Sequence, residues 1–330
     1  MTQIRVALVG TGGWGNQHAR ILSSREDIDF CAIVGRNPEK TRLRAAQYDA
    51  NPYVSIDEML ATEHPALVCV CLPNQEHFET TLKLIRAGIP LLVEKPLVFE
   101  RDQADTLIKE AQLRGLFFAI NFNHRYAHPM QMARQALQAG RLGEIIFATW
   151  RFGGEGSSDH PFANLIETQC HGFDSLEFLC GPIQSIMAEM TDKTESGFRT
   201  LALALRFANG AVGSLLGTYD SSYAYRDTQR LEINGTKGRV LIEDTVRRYS
   251  FQPTGSETAE VWEAGYFNDI DREFHRTFDK HFDAVIAAFA ASKPPPVPAT
   301  AGARALELAL ASIESFNTGR RVQVDPQRLL

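Results

Sequence analysis

The run Ile4-Arg5-Val6-Ala7-Leu8-Val9 leads directly into Gly10-Thr11-Gly12-Gly13-Trp14-Gly15, and this junction decides the fold of the first third of the chain. Six mostly aliphatic residues read as a buried strand, and the glycines after them let the backbone turn sharply into a helix. Gly10, Gly12 and Gly15 match the G-x-G-x-x-G spacing, with Gly13 and Trp14 inside it. Such a turn brings free backbone N–H groups and the positive end of a helix to one spot. A pyrophosphate is stabilised by both, so a dinucleotide is expected there.

Working outward, short apolar runs alternate with amphipathic stretches up to residue 122. Strands are predicted at 4–9, 30–34, 66–72, 90–93 and 116–120, and helices near 15–24, 38–49, 57–61, 75–87 and 101–114. Strict alternation implies a parallel sheet with right-handed crossovers. The pattern then changes. After a helix near 129–139, a strand at 145–152 and a helix at 163–179, strands follow at 183–189, 200–207, 211–219, 231–234 and 239–243 with little helix among them. Turn signals such as Asn209-Gly210 and Asn234-Gly235 separate them, which predicts an antiparallel sheet. Two late helices, near 270–291 and 301–317, flank a proline-rich segment. The expected domains are 1–122 and 123–330, with helix 301–317 packing back on the first.

Composition narrows the function. With 330 residues and a net charge of -6, the chain has no basic block to follow a phosphate backbone, which argues against nucleic acid as a partner. Apolar runs of about five to eight residues are far short of the roughly twenty that span a bilayer, and no cleavable leader precedes the first strand, so no membrane association is expected. The cysteines, among them Cys31, Cys69, Cys71 and Cys180, lie in apolar surroundings and read as reduced thiols of a cytoplasmic protein. Cys69-Val70-Cys71 has no second pair elsewhere, so no metal is expected there.

The second strand points to the cofactor. An NAD site usually carries an acid about twenty residues after the last glycine, and this chain has Gly35, then Arg36 and Asn37. Without an acid to repel it, a 2′-phosphate can rest against the Arg36 guanidinium. NADP(H) is expected ahead of NAD(H).

The run Val68-Cys69-Val70-Cys71-Leu72-Pro73-Asn74-Gln75-Glu76-His77 places a strand end, a proline turn and a new helix at the carboxyl edge of the sheet, and the next strand ends in Glu94-Lys95-Pro96. Together with the glycine turn, these motifs resemble the signatures of the Gfo/Idh/MocA oxidoreductase family. Leu231-Glu232-Ile233-Asn234-Gly235-Thr236-Lys237-Gly238 and Ala305-Leu306-Glu307-Leu308 look like its second-domain landmarks. The resemblance implies an α/β protein: a Rossmann doubly wound parallel sheet followed by an α+β domain with a large, mostly antiparallel open sheet. It also implies a cofactor cleft that includes Leu72, Pro73, Asn74, His77 and Glu94, with Lys95 near the nicotinamide and the substrate hydroxyl. Physics permits that role, because an ammonium can orient a hydroxyl and stabilise a developing alkoxide.

The family's second catalytic element, written D-x-x-x-H, is matched here by Glu167-Thr168-Gln169-Cys170-His171. On one continuous helix, Glu167, His171 and Asp174 share a face. His171 is the expected general base, since an imidazole titrates near neutrality. Glutamate at 167 and glutamine at 169 depart from the family pattern, so no named relative's substrate is carried over. Glu167, Gln169 and His171, with Lys95 and Asn123, are the expected substrate residues. A metal pair at 167 and 171 lacks a clear third ligand.

Asn123-His124-Arg125-Tyr126 resembles the family's hinge segment, where Arg125 serves the cofactor or the substrate, or else an interdomain salt bridge. Trp14 covers the pyrophosphate, lines the substrate mouth or simply packs. His160, in the loop from Gly153 to Ser158 and just beyond, reads as solvated; His18, His64, His124, His128, His275 and His281 receive no role. The activity implied is hydride transfer between a nicotinamide and a carbinol carbon of a sugar, inositol or other polyhydroxylated small molecule. A glycosidase that uses transient oxidation and a nucleotide-sensing regulator are the alternatives. Relatives associate through the exposed face of the second sheet, so a homodimer or homotetramer is expected.

Overall fold

The computed structural model describes residues 3–156 and 158–325, so Met1, Thr2, Ser157 of the Gly153–Ser158 loop and the last five residues lie outside it. The chain forms two compact units, Met1–Asn121 with Phe278–Ala303, and Phe122–Thr277 with Arg304–Leu330.

In the first unit the order is β1 (Ile4–Val9), α1 (Gly13–Ser23), β2 (Ile28–Val34), α2 (Pro38–Gln47), β3 (Asn51–Tyr53), α3 (Ile56–Glu63), β4 (Leu67–Val70), a 3-10 turn (Asn74–Glu76), α4 (His77–Arg86), β5 (Leu91–Val93), α5 (Arg101–Leu113) and β6 (Phe118–Ile120). The strands run parallel in the order β3-β2-β1-β4-β5-β6. That is the doubly wound Rossmann arrangement, whose strand order reverses between β1 and β4. The central strands β4 and β5 are buried on both faces, which is why Leu67–Val70 and Leu91–Val93 are apolar throughout rather than alternating.

β3 is a strand the sequence pattern hides. Asn51-Pro52-Tyr53 reads as a turn, yet it pairs with Ala32, Ile33 and Val34 of β2. A proline is tolerated because β3 lies at the sheet edge, where no further strand needs its missing N–H. The return segment Phe278–Ala303 closes the other edge, with the Ile120 N–H donating to the Val297 carbonyl at 3.0 Å.

The second unit contains a 3-10 turn (Asn123–Tyr126), α6 (His128–Gln138), β7 (Ile145–Gly153), a π-helical turn (Asn164–Thr168), α7 (Cys170–Cys180), β8 (Ile183–Thr191), β9 (Thr200–Phe207), β10 (Val212–Thr218), β11 (Gln229–Gly235), β12 (Gly238–Glu243), β13 (Arg248–Pro253), β14 (Glu260–Glu263) and α8 (Asp269–Arg272). α9 (Arg276–Ala290) and α10 (Ala299–Thr318) carry the chain into and out of the first unit, and β15 (Val322–Gln323) ends it. The nine strands lie in the order β14-β13-β12-β11-β7-β10-β9-β8-β15, antiparallel except for the parallel pair β7 and β10. Alternate residues Leu201, Leu203, Leu205 and Phe207 of β9 are buried, as are Trp150 of β7 and Phe173 and Leu176 of α7. A Cβ at Gly172 would collide with the Trp150 indole, so glycine lets α7 lie close to the sheet.

Two expectations are corrected. The predicted helix 163–179 is interrupted: the Gln169 N–H reaches the Asn164 carbonyl at 2.9 Å, one residue further back than an α-helix allows, because the Gln169 side chain is pinned in the core. The predicted helix 270–291 is two helices, since Asn268 caps the short α8 and Glu273 leaves helical geometry before α9 begins. Strands β13, β14 and β15 were not anticipated. Tyr249 and Phe251 of β13 are buried in alternation, but six residues of mixed polarity gave a weak signal, and β14 and β15 are short edge strands.

Candidate functional site

At the carboxyl end of β1, Gly10 has φ +130°, and a Cβ there would run into the Cys71 carbonyl. A Cβ on Gly15 would strike the Gly10 carbonyl. These two glycines are required by close backbone approach. Gly12 and Gly13 differ: side chains there would meet nothing within 4 Å, so the space in front of α1 is open. Gly12 is the N-cap of α1 and makes no side-chain cap, and no acid stands in the first turn. An open cradle ending on uncapped N–H groups fits a pyrophosphate. Trp14, 45% exposed, stacks on Phe278 with ring centroids 5.3 Å apart.

The end of β2 explains Gly35. A Cβ there would press on Thr41 Oγ1 and Thr11 Cγ2, so a longer residue, acidic or not, would have to displace both threonines. Arg36 beside it is three-quarters exposed and pairs with Glu76 at 2.6 Å. Asn37 caps α2 through the Lys40 N–H. On the neighbouring loop Leu72 and Asn74 are half-buried and Pro73 is exposed. His77 is buried with both ring nitrogens against backbone carbonyls, Pro96 at 2.8 Å and Leu72 at 3.0 Å, so it braces the loops after β4 and β5. Burial holds its pKa below the ordinary imidazole value despite those carbonyls.

Glu94 is buried at the end of β5. Its Oε1 accepts from His18 Nε2 at 2.7 Å and from Asn121 Nδ2 at 2.6 Å, while Oε2 accepts the Lys95 backbone N–H at 3.2 Å. Asn121 Oδ1 in turn accepts from His281 Nδ1 at 2.6 Å. Burial alone would push the Glu94 carboxyl up; the hydrogen bonds from His18 and Asn121 and the nearby Lys95 charge outweigh it and hold the group below its ordinary value. His18, Asn121 and His281 were missed in the sequence, although His18 follows Gly15 by three residues, close to one helical turn. His18, Cys71 and Glu94 lie close together, with the His18 and Glu94 ligand atoms joined to each other by a hydrogen bond.

In the second unit His171 lies on α7, almost fully buried. Its ring is stacked on His124, centroids 4.0 Å apart and planes within 11°, and meets the edge of Phe122. Arg125 donates to both carboxylate oxygens of Asp174, at 2.9 and 2.6 Å. Of the alternatives for Arg125, the ion pair is therefore present, but it lies inside this unit. Burial raises Asp174 above its ordinary value even against that guanidinium. Glu167 sits in the π turn, where its phase relative to His171 departs from an uninterrupted helix, and it accepts from Ser158 Oγ at 3.2 Å.

Gln169 departs from the sequence reading. It is fully buried, accepting from Trp150 Nε1 at 3.0 Å and donating to the Phe152 carbonyl and Asn164 Oδ1. Its amide shapes the turn rather than facing a ligand. Asn123 is likewise buried, donating to Thr277 Oγ1 at 2.7 Å.

A Rossmann unit with an open glycine cradle, followed by a unit carrying a buried histidine on a helix packed against an open sheet, defines a two-domain nicotinamide-nucleotide oxidoreductase. Residues 4–122 match the oxidoreductase family with an NAD-binding Rossmann fold, and residues 134–324 match its C-terminal α/β domain. The chain belongs to the Gfo/Idh/MocA family. Inositol 2-dehydrogenase of Rhizobium meliloti is 24% identical over 97% of this chain and 99% of its own length. The NAD(+)-dependent scyllo-inositol 2-dehydrogenase of Bacillus subtilis is 23% identical over 99% and 98%. Among solved structures, levoglucosan dehydrogenase in complex with NADH and L-sorbose shares the fold, with a TM-score of 0.88 at 17% identity over 98% of this chain and all of that one.

Because the native Glu94 pKa lies below its unfolded value, the ionised group stabilises the fold above the ordinary carboxylate range, and this contribution fades as pH falls through the native pKa. Glu94→Gln should cost about 1–3 kcal/mol at pH 7. Urea titrations at pH 7 and pH 4 check this: the gap between variant and parent should narrow at the lower pH, and a gap that widens contradicts the assignment.

Proposed function

We propose that the protein is an NAD(P)-dependent dehydrogenase or reductase acting on a carbinol carbon of a sugar, inositol or related polyol, in the cytoplasm. The observation that carries the reading is the uncapped glycine cradle at α1 with Lys95 anchored at the end of the same sheet through Glu94. Full-length similarity to two inositol dehydrogenases supports the substrate class. Five buried free thiols suit a reducing compartment.

When bound, the nicotinamide nucleotide supplies the two-electron acceptor or donor for a carbinol carbon. Lys95 holds the substrate oxygen and stabilises charge developing on it; His171 accepts the hydroxyl proton as the carbon is oxidised and returns it in the reverse direction. Glu167 contributes hydrogen bonding to the polyol, its carboxylate oriented by Ser158. His77, Asn123 and Gln169 act by shaping these segments. Alanine at Lys95 or His171 should lower turnover about 10²- to 10⁴-fold in a nicotinamide absorbance assay across a panel of inositols and pyranoses. Turnover near the parent's in both variants overturns the assignment.

NADP(H) is proposed as the preferred cofactor because Gly35 stands where an acid would repel the 2′-phosphate and Arg36 follows it, with Glu76 as the guanidinium's partner in the phosphate's place. Arg36→Ala should weaken NADPH binding about 10- to 100-fold and leave NADH within a few-fold, whereas Glu76→Gln should tighten NADPH. Parent enzyme that binds NADH more tightly, measured by fluorescence titration, reverses the preference.

Self-association is proposed through the outer face of the second sheet. There Ala202 and Ala204 of β9 and Val212, Ser214 and Leu216 of β10 form an exposed row of small and apolar side chains, with Arg206 opposite Val212 at its end. Light scattering should show a dimer or tetramer, and Leu216→Glu should reduce its mass toward that of the monomer. A monomeric parent rejects the interface.

A further inference from the structure

His124 has no role in the proposed chemistry, yet its ring stacks on that of His171. Both rings are almost fully buried, and they lie face to face, 4.0 Å between centroids and 11° from parallel. His124 is walled in by Phe274, whose edge meets its ring at 5.5 Å, and by Phe152 and Trp150 at 6.1 and 6.2 Å. Two imidazolium ions at this separation repel strongly in a water-poor site, so the stack accommodates one charge. An imidazolium over the π face of a neutral ring, by contrast, is attracted to it.

We propose that His124 is a positioning residue for His171: it stays neutral and supplies the flat π face on which the His171 ring is held and on which its protonated form is stabilised. The inference rests on the reading of His171 as the base only for its catalytic consequence; the stack itself is independent of that reading. It also gives a physical reason for an aromatic side chain at 124, since an aliphatic one would leave the buried imidazole without a planar support.

Charged and titratable groups on the packed elements have contacts of their own. On α7, Asp174 is bound by Arg125 from the 3-10 turn, and Glu177 is bound by Arg304. The π turn brings Glu167, which holds Ser158, and Cys170 opens α7 just before His171. α6 brings His128, near Asp271, and Arg134, which lies over the Phe178 ring. The 3-10 turn also carries Tyr126, whose phenol burial pushes up to about 12, and β7 brings Arg151, paired with Asp227. His275 follows Phe274. The substitutions below leave all of these in place, so a change in His171 titration reports the ring at 124.

The test is an NMR titration of the His171 imidazole, assigned with His171→Ala, in the parent, His124→Phe and His124→Leu, each checked for folding by circular dichroism. Phe keeps a π face without ring nitrogens; Leu removes the face. The His171 midpoint should stay within a few tenths of a pH unit in His124→Phe and fall by about 0.4 to 1.5 pH units in His124→Leu, the value of a cation–π contact. Turnover should follow, with His124→Phe within about threefold of the parent and His124→Leu losing about 10- to 100-fold in kcat with KM little changed. An unshifted midpoint in folded His124→Leu, or a Phe variant that titrates like the Leu variant, overturns the proposal. Because the midpoint is read without substrate, absence of any dehydrogenase activity would reject the proposed function and leave this result standing.

Discussion

A carboxylate shut away from water organises the first unit. Glu94 can remain ionised only if donors surround it, and they come from separate parts of the chain: His18 from α1, Asn121 just after β6, and the Lys95 backbone. His281 on α9 extends the network by holding Asn121. The glycine turn that opens α1, the strand end that carries Lys95 and the returning helix are therefore fixed by one charge. Removing His18 or Asn121 leaves Oε1 with one donor in place of two, so a buried charge is less compensated and the cost exceeds that of the lost contact itself.

The second unit solves the same problem differently. Asp174 receives a two-point contact from Arg125, a geometry that a guanidinium suits and an ammonium does not. This links α7 to the segment that carries Asn123 and His124, and so fixes the partner on which the His171 ring lies. Gln169 anchors the other end of α7 through Trp150 and Asn164, and the π turn is the backbone's accommodation of that anchor. A buried amide with three bonds made is rigid, and it fixes the start of the helix that carries His171.

Much of the cofactor side was legible in the sequence. The spacing of Gly10, Gly12 and Gly15 after an aliphatic strand has few physical explanations other than a turn that approaches a phosphate, and the alternation of runs up to residue 122 specifies a parallel sheet. Arg36 was legible as a guanidinium just after the second strand, but its partner Glu76, forty residues away, was not. The residues read least well were the histidines. His18, His124 and His281 look like isolated polar residues because hydrogen bonds at long sequence separation and ring stacking leave no periodic trace.

Local pattern determined the elements whose stability is local: the glycine turn, the capped helices at Asn37 and Ser55, and the alternating strands of the second sheet. Tertiary structure alone decided where buried polar groups find partners. It turned Gln169 inward, converted the start of a predicted helix into a π turn, made a strand of Asn51-Pro52-Tyr53 at a sheet edge, and stacked His171 on His124. The reason is the same in each case. Periodicity records which face of an element is apolar, whereas the pairing of a buried donor or ring depends on what the rest of the fold places opposite it.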